Sequence, residues 1–439
     1  MSIDGQHNRQ LVRSACLLAV VLSLAAGSSR GQQPPPDAAG TDQPTLDDTI
    51  DAAGPGAYEP PRRKRVKWNE YEGPYFTVRF GGGVLFEGAA YTQDEESEQQ
   101  FDLESEWKVR DARFLLKGRF PQFEKRAVTW SSGIMYNGPT DEFLLRETGV
   151  MVEVPELRGH IFVGRTKEGF SLNKVMTGYA GWTMERATIS DATIPILADG
   201  IKWLGFLPEK RILWNLGVYK DTLSEDETFS TYDTQAVGRL MWIPIAEEET
   251  KTILHLGVSA RYGKPDEGEL RLRSRPEAFP APYFVDTGTF ECDTTEMLAV
   301  EAYYRPGPLL IGTEYFTQRA DAKQAGDPVS HGGDVVVTWL VTGETRTYNT
   351  RGGFFNAVSP ARTVFEGGPG AWELVARLSY IDLDDGPIQG GKFWRFTPMV
   401  NWHLSDHMRL ELAYGYGKLD RFDLRGSTQF FQTRIQMQF

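Results

Sequence analysis

The sequence has 439 residues, with 47 Lys and Arg against 60 Asp and Glu and a formal net charge of −13 at pH 7. This acidic balance argues against nucleic acid as a partner. A mean hydropathy of −0.39 with 24% charged residues excludes a conventional helical membrane protein. A transmembrane barrel stays open, because the lumen-facing half of such a barrel is polar.

The cysteine and aromatic content further limits the kinds of site and fold that the sequence can have. Cys16 lies in a segment that we expect to be removed, which leaves Cys292 without an internal disulfide partner and without a cysteine-based zinc or redox motif. Aromatic residues make up 12% of the chain. The aromatic girdles of a membrane barrel would account for them, and so would a carbohydrate-binding β-protein.

The first segment, residues 1–29, is predicted to be a secretory signal peptide. Arg9 and Arg13 supply the basic start, and residues 17–26 (LLAVVLSLAA) form a short apolar core followed by small residues. That core is about ten residues long, whereas a membrane-spanning helix needs roughly twenty. We therefore expect the protein to be exported.

Residues 30–70 are rich in Pro, Gly, Ala and Asp and are predicted to be a disordered periplasmic tether. The tether contains a basic run at residues 62–67 (RRKRVK). Two interpretations stay open for this run: contact with anionic headgroups or the cell wall, or simply solvated charge at the end of a linker.

Residues 71–439 show β-strand alternation throughout and predict an all-β fold, a transmembrane antiparallel β-barrel of about 16 strands. The last strand is the clearest case, because Phe431 and Ile435 share its apolar face whereas Gln432 and Arg434 share its polar face. An apolar-faced strand at the chain end fits a barrel in lipid, where the last strand must pair with the first.

The predicted connections alternate between short periplasmic turns and long external loops, as in outer-membrane barrels. Strands are predicted to begin near Tyr75, Leu103, Glu124, Asp141, Gly159, Asp199, Arg211, Phe229, Thr250, Cys292, Gly307, His331, Ala371, Gly391, His407 and Ser427. Residues 419–426 are read as one of the long loops. The connection at residues 344–370 is long but falls on the short-turn side, so it either folds into the lumen or the strand count is wrong there. A secreted β-sandwich array is the soluble alternative.

If the apolar face meets lipid, the other face lines the pore, since an Arg facing lipid at the midplane costs about 2–4 kcal/mol. The predicted pore-lining, anion-binding residues are Arg79, Arg113, Lys117, Arg119, Arg239, Arg261, Arg305, Arg377, Arg395, Arg409 and Arg434. The same face carries Glu87, Asp111, Glu301, Glu314, Glu373 and Glu411. The arginines either pass oxyanions along the wall or are neutralised by these acids and brace it.

Residues 167–198 form a long loop with Lys167, Lys174 and Arg186 among aromatic and small residues. If this loop bends into the lumen, it forms the constriction and places these three cations nearest the passing solute. The alternative is an ordinary surface loop.

No catalytic or cofactor site is predicted. His403 and His407 lie across a strand–turn–strand, where their spacing does not indicate a metal pair. The glycines at residues 81–83 lie inside a strand and lack a following Lys-Ser/Thr, so they are not a phosphate-binding loop. Close packing of the backbone against a neighbour explains them better.

Several stretches resemble the phosphate-selective porin O and P family. These are residues 164–172 (GRTKEGFSL) with 184–186 (MER), residues 370–386 (GAWELVARLSYIDLDDG) with 390–392 (GGK), residues 401–402 (NW) and the ending RIQMQF at 434–439. The resemblance covers roughly residues 75–439. It implies a sixteen-stranded outer-membrane barrel, commonly a homotrimer, that passes phosphate or polyphosphate along an arginine-lined channel. Gly169 stands where that family's motif has Pro.

The expected function is therefore passive diffusion of small anions through an Arg- and Lys-lined constriction, with no reaction and no cofactor. Expected partners are small anionic solutes, outer-membrane lipid, two further copies of the chain in a homotrimer and the cell wall through the tether. Alternatives are a general or sugar-permeable porin without phosphate selectivity, or a non-conducting barrel that anchors the membrane to the wall.

Overall fold

The computed structural model describes residues 68–123, 125–138, 141–220, 222 and 232–439. Within those residues, sixteen consecutive antiparallel strands form one sheet that closes on itself. A short strand, Glu70–Glu72, pairs alongside the start of the first barrel strand. The predicted signal peptide and the basic run at residues 62–67 lie outside the described residues, as does the predicted tether up to residue 67.

The barrel strands are labelled in chain order. They are β1 Thr77–Gln93, β2 Glu106–Arg119, β3 Val128–Asn137, β4 Glu142–Leu145 with Thr148–Val154, β5 Gly159–Thr166, β6 Ala198–Leu207, β7 Ile212–Lys220, β8 Tyr232–Glu247, β9 Thr252–Pro265, β10 Thr294–Pro306, β11 Leu309–Asp321, β12 Val329–Leu340, β13 Ala371–Asp385, β14 Ile388–Ser405, β15 Met408–Arg421 and β16 Leu424–Gln438. The sixteen predicted starts agree with these to within four residues.

The remaining elements are short. Helices among the described residues are α1 Glu95–Gln100, α2 Leu172–Val175 and α3 Thr188–Thr193, with single 3-10 turns at Pro155–Leu157, Pro208–Lys210, Asp266–Gly268, Lys323–Ala325 and Val364–Glu366. Two-residue strand pairs join Glu269–Leu270 to Phe290–Glu291, Arg273–Ser274 to Val285–Asp286 and Tyr348–Asn349 to Phe354–Phe355. No helix in the described part of the chain is long and apolar enough to cross a membrane.

Burial along the strands is the reverse of that in a soluble protein. Val300 and Leu412 are 57% and 61% exposed, whereas their neighbours Glu301 and Glu411 are 6% and 0% exposed. An apolar outer surface over a polar interior is the arrangement of a barrel in lipid. The predicted fold class is confirmed, and the interior is not the dry apolar core that a sandwich would have.

The barrel closes by pairing β1 with β16. Glu87 lies opposite Arg434 in this pairing. Beyond the strand end, Phe439 exchanges backbone hydrogen bonds with Gly82, at 2.9 and 3.2 Å. The last strand therefore leaves no open edge over this length, as its apolar face requires in lipid.

The predicted long loop at residues 419–426 is wrong. Strand β15 continues to Arg421 and β16 begins at Leu424, so the connection is the two residues Phe422 and Asp423. Both have positive φ, 52° and 62°, which is the geometry of a tight type I′ hairpin turn. The charged residues beside the turn give the ends of the two strands the polar composition of a loop, and this led to the wrong prediction.

Three long connections fold into the barrel and fill much of it. We call them the constriction loop (residues 167–197), the external insertion (residues 266–293) and the periplasmic insertion (residues 341–370). Their apolar residues join wall residues in the two largest buried clusters of the described chain. Phe170 packs with wall residue Phe316 and Phe284 with wall residue Phe430, while Trp182 and Phe355 pack with wall residue Tyr303.

Candidate functional site

The constriction loop is anchored to the barrel wall at its start. Wall residue Glu314 on β11 accepts hydrogen bonds from Ser171 Oγ at 2.5 Å and from the backbone N–H of Asn173 at 2.9 Å. Glu301 on β10 accepts from the backbone N–H of Leu172 at 2.7 Å. These hydrogen bonds hold the first turn of the loop across the lumen. The prediction that this loop bends inward is therefore confirmed by its contacts.

A glycine makes this close approach sterically feasible. A Cβ on Gly169 would lie 2.1 Å from Cγ of Asn215 on β7, so a side chain at this position would collide with the wall. Packing against Asn215 therefore explains why Gly169 stands where the motif of the porin O and P family has Pro.

The three basic residues of the constriction loop bind the loop's own backbone. Lys167 Nζ donates to the carbonyl of Met176 at 3.1 Å, and Lys174 Nζ donates to that of Ile194 at 2.7 Å. Arg186 donates to the carbonyls of Asn173 and Met176, both at 3.0 Å. These side chains therefore hold the loop in shape. Lys174 is buried, whereas Arg186 also lines the cavity described below.

The periplasmic insertion explains the long connection on the short-turn side. Arg239 of β8 donates to the carbonyls of Gly352 and Gly353 in the insertion, at 3.1 and 2.8 Å. His255 Nδ1 lies 2.6 Å from the hydroxyl of Tyr348. The first of the two alternatives for residues 344–370 is thus correct: the segment folds into the lumen, and the strand count stands.

One side chain ties the periplasmic insertion to two other parts of the molecule. Arg346 forms a buried two-bond ion pair with Glu373 of β13, at 3.0 and 2.9 Å. The same guanidinium donates to the carbonyl of Ala180 in the constriction loop at 2.8 Å. The wall, the constriction loop and the insertion therefore meet at Arg346.

Six of the ten predicted wall arginines are bound by acids, and all of these except the half-buried Arg113 are buried. The pairs are Arg113 with Asp111, Arg239 with Glu301, Arg261 with Glu168, Arg377 with Glu277, Arg409 with Glu411 and Arg434 with Glu87. Two of these acids, Glu168 and Glu277, come from the inserted loops rather than from the wall. Such pairs brace the interior, which is the second of the two roles that the sequence left open.

The other predicted wall cations differ in position. Arg305 donates to the carbonyls of Lys251 and Arg346, and Arg395 donates to those of Pro276 and the Gln432 side chain. Near the strand ends, Arg79 lies 3.7 Å from Glu70, Arg119 is exposed, and Lys117 is opposite Arg79 on the neighbouring strand.

A polar cavity with an empty volume of about 430 Å³ lies between the constriction loop and the wall at β1, β2 and β16. The described residues that line it are Leu85, Arg110, Asp111, Arg113, Asn173, Met176, Thr177, Gly178, Gly181, Thr183, Met184, Glu185, Arg186 and Arg434. Among them, four guanidinium groups face two carboxylates. The cavity lining is therefore net positive in a chain that is net negative.

Arg110 is the cavity residue that the strand pattern does not reveal. Its even number places it with Ala112 and Phe114, on the predicted lipid face of β2. The pairing of β1 with β2 shifts register between Leu85 and Phe86, and this bulge turns Arg110 inward. Its guanidinium then binds Glu185 in the constriction loop, at 2.9 and 3.2 Å. Alternation alone carries no signal for a bulge.

Two titratable groups at or beside the cavity have shifted pKa values. Burial alone would raise the pKa of Glu185, but the positive charges of Arg110 and Arg434 outweigh it and hold the pKa at about 2. Burial, together with the neighbouring Asp111, raises the pKa of Tyr179 well above its ordinary value. The Tyr179 hydroxyl therefore stays protonated and donates to Asp111 at 3.1 Å.

The glycine run in β1 makes room for the same tyrosine. A Cβ on Gly83 would lie 2.7 Å from the hydroxyl oxygen of Tyr179. The ring of Tyr179 in turn lies under Arg113, with the guanidinium carbon 4.7 Å from the ring centroid. Close packing against a neighbour, as predicted for these glycines, is confirmed at Gly83.

Solved structures similar to this chain include several outer-membrane proteins. OmpT of Vibrio cholerae superposes with a TM-score of 0.54 at 13% identity, over 84% of this chain and 99% of OmpT. An anion-selective porin from Comamonas acidovorans gives 0.52 at 13%, over 83% and 100%. Salmonella typhi OmpF gives 0.54 at 11%, over 84% and 100%. At these identities the likeness establishes the fold alone.

Sequence relatives align over only part of their length. Porin O of Pseudomonas aeruginosa is 23% identical over 226 residues, which cover 44% of this chain and 50% of Porin O. An uncharacterised protein of Caulobacter vibrioides is 29% identical over 195 residues, covering 44% and 38%. The chain thus spans half or less of the curated relatives it matches. Residues 87–439 match a family described as phosphate-selective porin O and P, and because this match covers most of the sequence, the chain belongs to that family of outer-membrane porins.

Proposed function

We propose that this porin passes small anions by passive diffusion, and that phosphate or polyphosphate is among its solutes. The observation that supports this most is the cavity lining, where Arg110, Arg113, Arg186 and Arg434 face only Asp111 and Glu185 among the described lining residues. Guanidinium groups stay charged at all working pH values, and their planar forks match the oxygen geometry of phosphate and carboxylate.

The wall arginines outside the cavity have a different role in this proposal. Buried pairs such as Arg239 with Glu301 and Arg261 with Glu168 fix the inserted loops against the wall. Selectivity then rests on the few cations that border the cavity rather than on the whole row of wall arginines. Lys167 and Lys174 act by holding the constriction loop in place.

The proposal extends to export and assembly. Residues 1–29 act as the signal peptide, residues 30–67 tether the barrel in the periplasm and contact the cell wall, and three copies assemble in the outer membrane. A trimer is supported by the trimer form recorded for OmpT of Vibrio cholerae, which shares the fold. Its apolar outer face packs against lipid and against the other two copies.

Single-channel current in a planar bilayer, with and without added phosphate, tests the transport function. We expect a chloride current that phosphate reduces as its concentration rises, because phosphate occupies the cavity arginines for longer than chloride does. A current that phosphate leaves unchanged would indicate a general or sugar-permeable porin. A folded barrel that carries no current would instead indicate a membrane anchor.

A further inference from the structure

The carboxylate of Glu185 occupies the position that a solute oxyanion would take in the cavity. Its two oxygens lie 2.9 and 3.2 Å from Nε and Nη2 of Arg110, which is the forked arrangement of a bound carboxylate or phosphate. Oε1 also accepts a hydrogen bond from Arg434. Glu185 thus bridges two guanidinium groups, one from β2 and one from β16.

The two acids that bind Arg434 differ in how far the cavity can reach them. Glu87 is fully buried behind Arg434, whereas the side chain of Glu185 is 19% exposed and lines the cavity. The Arg110 side chain is 24% exposed. A solute in the cavity can therefore compete with Glu185 for Arg110, but it cannot reach Glu87.

We propose that Glu185 is a built-in competitor, which permeating oxyanions must displace from Arg110. This inference rests on the proposed anion transport. Displacement exchanges one forked pair of charge-assisted hydrogen bonds for another, so the solute binds with a small net gain and leaves readily.

This exchange discriminates between anions. A phosphate or carboxylate offers two oxygens to Nε and Nη2 of Arg110 and replaces both bonds that Glu185 makes to Arg110. Chloride offers one centre and replaces them poorly. Glu185 therefore raises the concentration that any anion needs to occupy Arg110. It favours anions with two oxygens at the spacing of a carboxylate.

A double-mutant cycle on phosphate block tests the competition. For Glu185→Gln we expect the half-blocking phosphate concentration to fall about tenfold, since a neutral amide competes less well for Arg110. Arg110→Gln should raise that concentration. In the Arg110→Gln background, the added Glu185→Gln change should have a clearly smaller effect, because only one of the two guanidinium groups that Glu185 binds, that of Arg434, is then left. Glu96→Gln, an exposed acid on α1 outside the cavity, is the matched control and should leave the block unchanged.

The outcomes separate this inference from the proposed function. A wild-type channel that phosphate does not block contradicts both. A wild-type channel that is blocked, with Glu185→Gln unchanged or less sensitive, overturns the competitor role alone. So does an effect of Glu185→Gln that persists in full without Arg110. Heat-modifiable gel migration checks folding, and if Glu185→Gln does not fold, Glu185→Asp replaces it, because the shorter acid spans the two guanidiniums poorly and should also lower the half-blocking concentration.

Discussion

Glu87 on the first barrel strand and Arg434 on the last lie opposite each other at the seam, with Nε of Arg434 3.0 Å from Oε2 of Glu87. They are 0% and 1% exposed. A slip of one residue would turn Arg434 towards lipid and bury Phe431 or Ile435 in its place. The pair therefore fixes the register in which the barrel closes, and it also sets Arg434 at the edge of the cavity.

Removing the seam arginine should destabilise the barrel. Arg434→Ala leaves the buried Glu87 without its guanidinium partner, and we expect the free energy of unfolding to fall by about 3 kcal/mol. The midpoint of heat-induced unfolding in detergent measures this loss. Arg425→Ala is the control, because the pair that Arg425 makes with Asp420 is exposed at 67% and 37% and should contribute at most about 1 kcal/mol. Equal losses in the two variants would refute a structural role for the seam pair.

The second prediction concerns a cavity cation. Arg113→Gln should lower the chloride-to-potassium permeability ratio about sevenfold, since one charge at roughly 7 Å in a water-like dielectric stabilises chloride and destabilises potassium by about 0.6 kcal/mol each. Arg319→Gln removes an exposed arginine outside the cavity lining, where the side chain is 61% exposed, and should leave the ratio unchanged. Reversal potentials in a salt gradient give both values. A matching drop in the control would point to the overall charge of the chain instead of the cavity.

The third prediction tests the junction at Arg346. Arg346→Ala removes contacts to Glu373, Ala180 and Asn356 together and leaves Glu373 buried without its guanidinium partner. We expect a loss of about 3 kcal/mol in stability and a noisier single-channel current, because the constriction loop and the periplasmic insertion lose their common support. Arg362→Ala, an exposed arginine of the same insertion, should show neither effect. A quiet, wild-type current in Arg346→Ala would contradict the junction.

The fourth prediction is a pH dependence of stability. Burial, reinforced by the positive charge of Arg186, lowers the pKa of Lys174 from 10.5 to about 7. Between these values the unfolded chain binds the proton and the folded chain does not, so this residue makes stability rise with pH over that window and level off above it. Lys174→Met should remove this part of the rise in the unfolding midpoint. An unchanged slope in the variant would show that Lys174 keeps its ordinary pKa.

The strands and their facing could be predicted because lipid enforces a strict alternation. This alternation predicts the inward position of Arg113 and Arg434. It also predicts the pairing of the two chain ends. The partners that the inserted loops supply to the wall arginines could not be predicted, since they come from distant segments: Arg239 meets Gly352, and Arg377 meets Glu277. Arg110 was missed because a bulge breaks the parity of β2.

The most direct test of a net positive cavity is the reversal potential of the purified protein in a planar bilayer with a potassium chloride gradient. The predicted result is a reversal potential with the sign of the chloride equilibrium potential. It should be smaller in Arg113→Gln and unchanged in Arg319→Gln. A reversal potential with the sign of the potassium equilibrium potential would contradict anion transport through these arginines.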